Sequence, residues 1–169
     1  DLSRQPLAHL DSDVRRSFEL SFTCLDPRQE WLFGLASLFA PGCITLAACV
    51  AASGMDEGSC RLVLGDLVRH SLLDRQAQGY YVVQPLLHHF AAQKWAARDA
   101  GETDAARTRF VTYYLAWVKE RTGEGPTALP SIIAERPNLE RAVSHAQACQ
   151  AWEDVWSFAE VLNDFTYLG

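Results

Sequence analysis

The segment from Leu62 to Trp95 constrains the fold of this chain more than any other. In its first part, Leu64, Leu67 and Val68 recur at the spacing of one helical face. Leu72-Leu73 then continues the apolar pattern without that spacing, which favours a strand. A helix that passes directly into a strand is therefore predicted.

The remainder of the segment predicts a β-hairpin and a second helix. Gln76–Gly79 supplies a connection that contains glycine, and Tyr80–Val83 is a β-branched and aromatic return strand. Gln84 ends the strand, and Pro85 suits the first turn of a helix, where its missing N–H has no intrahelical partner to lose. The apolar face of this helix consists of Leu87, Phe90, Ala91 and Trp95. The order helix, hairpin, helix is typical of a winged-helix domain.

The residues before this segment predict further helices. Phe18, Phe22 and Leu25 recur at near-helical spacing, and a second apolar stripe stops at Pro41. A short alanine-rich helix is predicted over Leu46–Ala52, and Asp56 is a capping residue for the helix that follows. The fold class predicted is therefore mainly α, with a small β-hairpin wing.

A domain boundary is predicted at Ala100-Gly101, where the helix from Pro85 would break. The regions are then 1–100, a winged-helix domain, and 101–169, a helical linker followed by a first helical-repeat hairpin. The next helix is predicted over Arg107–Arg121, and its stripe consists of Phe110, Tyr113, Tyr114, Trp117 and Val118. Such a stripe is usually core rather than a partner groove, and Trp95 and Trp117 are expected at the seam between the regions.

The last third predicts a helical hairpin. A short helix is expected over Ser131–Ala134, and Pro137 marks the start of the next helix. A final helix carries a stripe of Trp152, Val155, Trp156, Ala159, Leu162 and Phe165. The small residues of this pair resemble the packing in a tetratricopeptide repeat, although one hairpin shows no period.

Composition excludes several classes of function. The formal charge of −6 opposes a dominant interaction with a phosphate backbone or an anionic membrane. No run approaches the ~18 apolar residues of a membrane span, and no segment of the sequence resembles a signal peptide. An odd number of cysteines in apolar stretches predicts buried free thiols and a cytoplasmic protein: Cys24, Cys43, Cys49, Cys60 and Cys149. A start at Asp1 rather than Met predicts a piece of a longer protein.

The remaining polar residues predict no catalytic or metal site. His88 and His89 are adjacent on a helix and point about 100° apart, so even with His70 nearby they suit surface roles better than a shared ion. No nucleophile elbow is present, and the phosphate-binding motif GxxxxGK[ST] is absent from the sequence. A recognition helix for DNA would offer only Arg61 and Arg69, offset by acidic residues, with Arg75 in the wing, which gives little positive field.

Three blocks of sequence resemble the region that follows the nucleotide-binding core in NB-ARC-type signalling ATPases of the STAND class. The first is Val14–Phe22 with Leu25 and Leu35–Phe39, the second is Leu67–Leu73 with Tyr80–Ala91, and the third is Glu135–Ala142. The resemblance covers the chain from about residue 12 to its end. It implies a winged helix that docks on an upstream ATPase domain and a linker into a downstream tetratricopeptide-like sensor.

The resemblance also implies one residue that contacts nucleotide. In that family a histidine at the start of the helix after the wing commonly reaches the β-phosphate, and the matching position in this chain is Gln84. Glutamine keeps N–H donors but lacks the charge. Its alternative role is that of a helix N-terminal residue that caps the turn at Leu87. No cofactor is expected within the fragment itself, whereas ADP or ATP is expected in the parent protein.

We therefore predict a non-catalytic regulatory module that couples the nucleotide state of an upstream ATPase domain to a downstream helical-repeat sensor domain. Its partners would be those domains of the same chain and other proteins, rather than DNA or a membrane. Two alternatives remain open. One is a winged-helix transcriptional regulator that binds DNA, and the other is a protein-binding helical-repeat scaffold.

Overall fold

The computed structural model of the chain describes residues 12–76 and 79–166, with side chains for residues 16–76 and 79–163. The fold is mainly helical with one small antiparallel sheet. The helices are α1 (Ser12–Thr23), α2 (Pro27–Leu35), α3 (Leu46–Ser53), α4 (Glu57–Arg69), α5 (Pro85–Ala96), α6 (Ala100–Gly123), α7 (Leu129–Ala148) and α8 (Trp152–Thr166). The strands are β1 (Asp74–Arg75) and β2 (Tyr81–Val82), and short 3₁₀ helices cover Ala36–Leu38 and Gly125–Ala128. The predicted fold class is confirmed.

The helix–hairpin–helix order is confirmed, and the hairpin has an additional backbone partner. Asp74 pairs with Val82, and Arg75 pairs with Tyr81. On its other edge, Tyr81 exchanges two backbone hydrogen bonds with Ile44, at 2.7 and 3.2 Å. Gly79 has φ of +82°, a conformation that glycine adopts without steric cost and that lets the chain turn back. Ala77 and Gln78 of the predicted connection lie outside the described residues.

The predicted strand at Leu72-Leu73 is displaced by two residues. The N–H groups of Leu72 and Leu73 both donate to the carbonyl of Leu67, at 3.0 and 3.3 Å. These bonds terminate α4, so the two leucines form the turn after the helix and the strand begins at Asp74. Both leucine side chains are buried, which explains why the apolar pattern continues across the turn.

The break between α5 and α6 also lies earlier than predicted. α5 ends at Ala96, and Ala100-Gly101 forms the first turn of α6 rather than a break. The side chain of Asp99 accepts a hydrogen bond from the Glu102 N–H at 3.2 Å and so caps α6. The domain boundary near residue 100 stays a prediction.

The last two helices differ from the prediction in continuity and in phase. α7 is a single helix that contains Pro137, because Ile132 and Leu139 on either side of the proline are both buried and hold the helix together. On α8, Trp152 and Trp156 are 63% and 67% exposed, whereas Phe158 is fully buried. Ala159 is exposed as well, whereas Val155 and Leu162 pack against the core as predicted. The predicted stripe on α8 is therefore wrong at Trp152, Trp156 and Ala159. The side chains of Val14 and Phe165 lie outside the described part.

The hydrophobic core is continuous from α2 to α8. The ring of Phe39 lies 4.9 Å from that of Phe110 on α6, and the Trp31 and Trp95 rings lie 4.9 Å apart. The interpretation of the α6 stripe as core is confirmed for Phe110 and also for Tyr114 and Val118, while Tyr113 and Trp117 are half-buried. Of the cysteines, Cys49 and Cys60 are buried as predicted, Cys43 is half-buried, and Cys24 and Cys149 are exposed.

Candidate functional site

The corner at Val83-Gln84-Pro85 joins the hairpin to α5 and is fixed through its backbone. The Val83 N–H donates to the Pro41 carbonyl at 2.8 Å, and the side chain of Val83 is fully buried. Gln84 has extended backbone angles, as expected for a residue before proline. Its carbonyl accepts the His88 N–H at 2.8 Å, which begins the helical ladder.

The side chain of Gln84 is exposed at the N-terminus of α5. It forms no capping hydrogen bond, so the alternative role of helix capping is not observed. The first N–H groups of a helix have no intrahelical acceptor and carry partial positive charge. The corner therefore offers amide N–H donors to a hydrogen-bond acceptor outside the chain.

The histidines that were considered as metal ligands lie in three different environments. His88 Nε2–H donates to the Phe39 carbonyl at 2.9 Å, and burial lowers the pKa of His88. His89 is exposed and accepts a hydrogen bond from Gln93 Nε2 at 3.4 Å, and His70 is exposed at the end of α4. Within residues 12–76 and 79–166, no cluster of His, Cys, Asp and Glu has the arrangement of a metal site.

A second half-buried histidine, His145 on α7, lies beside the same 3₁₀ segment. His145 Nε2 lies 3.3 Å from the Leu38 carbonyl, and burial lowers the pKa of His145 as it does for His88. The charge of Arg141 opposes protonation of both histidines. The two rings are therefore neutral N–H donors that satisfy adjacent carbonyl groups near the end of the 3₁₀ helix.

The surface of α4, the candidate recognition helix, is electrostatically balanced. Arg61 Nη2 lies 2.5 Å from Glu57 Oε1, and Arg69 forms an ion pair with Asp66. Each arginine thus has a carboxylate partner on its own helix. The side chains of Arg61, Glu57 and Arg69 are largely exposed, and that of Asp66 is less so. Such a surface supplies little net attraction for phosphate.

A buried polar cluster joins α7 to the residues around the hairpin. Asn138 is fully buried, its Oδ1 accepts the Ala40 N–H at 2.8 Å, and its Nδ2 donates to the Cys43 carbonyl at 2.5 Å. The same Nδ2 lies 2.9 Å from Glu135 Oε2, which also accepts a hydrogen bond from Tyr114 Oη at 3.2 Å. Burial and the nearby Glu135 carboxylate raise the pKa of Tyr114.

The two tryptophans that were predicted at the seam each line a cavity. A cavity of about 600 Å³ is lined by Trp95 of α5, by Arg107 of α6 and by His145 of α7. A second cavity, of about 390 Å³, is lined by Trp117 of α6 and by Tyr80 of the hairpin segment. Both tryptophans thus border spaces that lie between the two predicted regions.

The outer face of the terminal hairpin is apolar. A groove of about 610 Å³ between α7 and α8 is lined mainly by Ile132, Ile133, Leu139, Val143 and Leu162. Ile133 is largely exposed, as are the tryptophans of α8. Exposed apolar area of this kind marks interaction surfaces in folded proteins.

One comparison with known proteins gives a match. The chain is similar to the regulatory protein AfsR of Streptomyces griseus. The two are 33% identical over 138 residues, which cover 80% of this chain and 13% of AfsR. The chain thus spans about an eighth of the length of AfsR. No family model matches the sequence, and no solved structure matches it.

The alignment with AfsR includes both the hairpin and α6. An aligned stretch that covers four fifths of the chain contains these central elements wherever it begins.

Sequence patterns did not identify Glu135 and Asn138 as buried residues. Both lie in the third block of the resemblance, but the prediction that Pro137 begins a helix separated Glu135 from Asn138. On one continuous helix, Ile132, Glu135 and Leu139 share a face. Polar residues within an otherwise apolar stripe were the feature that would have revealed the cluster.

No membrane-crossing helix occurs in the described part of the chain, since none there is long and apolar enough.

Proposed function

We propose that this chain is a non-catalytic regulatory module of a signal-transduction ATPase in the cytoplasm. Residues 1–100 would be a winged-helix domain that docks on an upstream nucleotide-binding domain, and residues 101–169 would lead into downstream helical repeats. The similarity to a regulatory protein supports this proposal, as does the small share of AfsR that the chain covers. The resemblance to the NB-ARC family supplies the roles of the neighbouring domains.

The observation that carries the proposal is a set of hydrogen bonds that join α6 and α7 to residues of the predicted winged-helix region. Asn138 of α7 bonds to Ala40 and Cys43, and Arg109 of α6 donates from Nε to the Ala52 carbonyl at the end of α3, at 2.9 Å. A module that transmits a state between two neighbours must move as one body, since slack within it would absorb the displacement. Buried hydrogen bonds between distant parts of the chain provide that rigidity.

Gln84 is the proposed contact with nucleotide. Its exposed side chain and the start of α5 offer amide N–H donors, which suit a phosphate group. The chain lacks the phosphate-binding loop, so all other contacts with ADP or ATP would come from the upstream domain. Gln84 would therefore bias docking, and hydrolysis would depend on residues outside this chain.

The α7–α8 groove is the proposed contact with the downstream repeats. Helical repeats bury their apolar faces by stacking on one another. Ile133, which lines the groove and is largely exposed, is suited to that stacking. The groove lies on the hairpin formed by α7 and α8, as expected for a connection to the next repeat.

The full-length protein with its ATPase domain provides the test. Gln84→Ala should accelerate release of a fluorescent ADP analogue and raise basal activity, and Gln84→His should slow release. Gln93→Ala is the matched control, because Gln93 is also exposed and lies near the other end of α5. Unchanged ADP release and basal activity in Gln84→Ala, even when combined with changes in the hairpin, would contradict the switch.

DNA binding is the second candidate, and the exposed Arg61 and Arg69 on the helix before the hairpin favour it. It predicts that the chain retards duplex DNA at low salt, with affinity that falls steeply as salt rises. Because both arginines are paired with carboxylates, we expect no retardation at micromolar protein concentration. A salt-dependent shift that Arg69→Ala weakens would favour DNA binding over the ATPase-coupled role.

A protein-binding scaffold is the third candidate, and the apolar groove of the terminal hairpin favours it. It predicts further repeats of about 34 residues in the parent sequence. Repeats accompanied by an upstream phosphate-binding motif would support the regulatory module, whereas repeats without that motif would favour the scaffold.

A further inference from the structure

A cavity of about 390 Å³ lies between the hairpin segment, α3, α6 and α7, and its walls are unusually rich in aromatic and charged groups. They include Glu135, Tyr80, Tyr113, Tyr114, Trp117 and Arg121. This volume falls within the range of about 300–1,000 Å³ that is usual for small-molecule sites. The cavity has no role in the regulatory module proposed above.

Glu135 is the anionic group of this cavity, and its carboxyl group is bonded to neutral donors. The residue is only 6% exposed, and its Oε2 accepts hydrogen bonds from Tyr114 Oη and Asn138 Nδ2. No Lys, Arg or His of the described chain forms an ion pair with it. A buried carboxylate without a cationic partner is energetically costly, so a cation that entered the cavity would relieve that cost.

The negative charge of Glu135 also reaches the phenol groups on the other walls. Burial raises the pKa of Tyr80 and of Tyr113, and the Glu135 carboxylate raises both further. The phenols are therefore neutral at physiological pH and place no second negative charge in the cavity. Glu135 is the anionic group towards which a ligand would orient.

The aromatic wall is suited to a cation as well. The guanidinium of Arg121 lies 5.5 Å from the centre of the Trp117 ring, within the distance range of a cation–π contact. Arg121 Nη1 donates to the two carboxylate oxygens of Glu124, at 2.9 and 3.2 Å, so its charge is compensated outside the cavity. Tyr113 and Trp117 are half-buried and retain surface for a ligand.

We propose that this cavity binds a small organic amine, whose ammonium group bonds to the Glu135 carboxylate and whose carbon skeleton packs against Tyr113 and Trp117. A primary ammonium group donates hydrogen bonds to a carboxylate and is attracted to aromatic faces. A neutral molecule of the same shape would gain only the apolar contact. Specificity for the charged form is the property that separates this site from a simple hydrophobic cleft.

Isothermal titration calorimetry on the 169-residue chain tests the site with tyramine and 4-propylphenol, which differ in the replacement of the amino group by a methyl group. Tyramine should bind at least about tenfold more tightly than 4-propylphenol, because only its ammonium group forms a charge-assisted hydrogen bond. Equal affinities, or no binding of tyramine at millimolar concentration, would overturn the proposal.

Two variants locate the bound amine. Glu135→Gln should weaken tyramine binding at least about tenfold, since the amide retains the shape of the side chain but not its charge. Glu140→Gln, which removes an equal charge from an exposed position on α7, should bind tyramine as the parent chain does. Normal binding by Glu135→Gln would exclude this carboxylate as the ligand of the ammonium group.

Trp117→Leu gives an independent result if Glu135→Gln is poorly folded by circular dichroism. It leaves the Glu135 hydrogen bonds in place and removes the indole face, so tyramine affinity should fall roughly two- to tenfold. The affinity for 4-propylphenol should change less, because its contact with the wall involves no charge. Equal losses for the two compounds would contradict the cation–π contribution. The test uses neither ATP nor an ATPase domain, so failure of the regulatory proposal would leave its result unaffected.

Discussion

The Oδ1 atom of Asn138 accepts the Ala40 N–H at 2.8 Å, although the two residues are 98 positions apart in the chain. The amide oxygen of Asn138 thereby takes the place of a backbone carbonyl as the acceptor for this N–H, which lies in the loop after the 3₁₀ helix. Its Nδ2 donates to the Cys43 carbonyl three residues before the start of α3. One side chain thus bonds to two backbone groups of this loop, which explains why a polar residue lies at a fully buried position.

Asn138→Ala should lower the free energy of unfolding by about 2–4 kcal/mol, because it leaves the Ala40 N–H and the Cys43 carbonyl without partners. Urea denaturation followed by circular dichroism measures the change. Gln147→Ala, at an exposed position of the same helix, should change the stability by no more than about 0.5 kcal/mol. A similar effect of both substitutions would contradict the role of the Asn138 amide.

Arg109→Ala should destabilise the chain by about 1–2 kcal/mol. The guanidinium donates to the carbonyls of Ala52 and Ser53, which lie at the C-terminal end of α3, and its charge favours the negative end of that helix. Gly54 follows with φ of +74°, and the arginine packs close to it. Thermal denaturation should show a lower Tm for Arg109→Ala than for Arg107→Ala, because Arg107 pairs only with Asp104 of its own helix.

Phe158→Ala should cost about 3–5 kcal/mol, since it removes a fully buried ring from the contact between α8 and the core. Trp156→Ala, at an exposed position two residues earlier, should alter the folding free energy by about 0.5 kcal/mol or less. Equilibrium unfolding of the two variants side by side determines the phase of α8. The reverse order of effects would show that Trp156, rather than Phe158, faces the core.

Stability should fall as the pH decreases from about 6.5, because burial lowers the folded-state pKa of His88 and His145 below the value in the unfolded chain. The unfolded state then binds more protons than the folded state. The stabilisation is fully present above about pH 6.5 and is lost as the pH falls through the lowered folded-state pKa. Urea titrations between pH 8 and pH 5 measure this slope.

Replacement of the two buried histidines by glutamine keeps an N–H donor for each carbonyl and removes the titrating ring. The double variant His88→Gln/His145→Gln should therefore show a shallower dependence of stability on pH. His70→Gln, at an exposed position, should retain the slope of the parent chain. A parent slope in the double variant would assign the acid sensitivity to other groups.

Sequence patterns predicted the helix–hairpin–helix order well because each boundary has a local chemical cause. Asp56 accepts the Ser59 N–H and caps α4, and Pro85 opens α5. The last helices were less predictable because tertiary packing overrides local preference. A proline usually interrupts a helix, yet α7 continues through Pro137 because residues on both sides of the proline are buried in the core.

The phase of α8 illustrates a second limit. Trp156 and Phe158 are both strongly apolar, and the spacing of neighbouring residues fits a stripe through either one. The packing of α8 against both α6 and α7 decides which face is buried. The polar cluster at Asn138 was likewise hidden, since its hydrogen-bond partners lie far away in sequence and are backbone groups, which leave no pattern in the side chains.

The length of α6 has a mechanical consequence for any change of state in the parent protein. Its 24 residues extend over about 36 Å, and this one rod carries both Arg109, which bonds to α3, and Tyr114, which bonds to α7. Because these two residues lie five positions apart near the middle of the helix and bond it to α3 and to α7, the rod would move together with both of those helices.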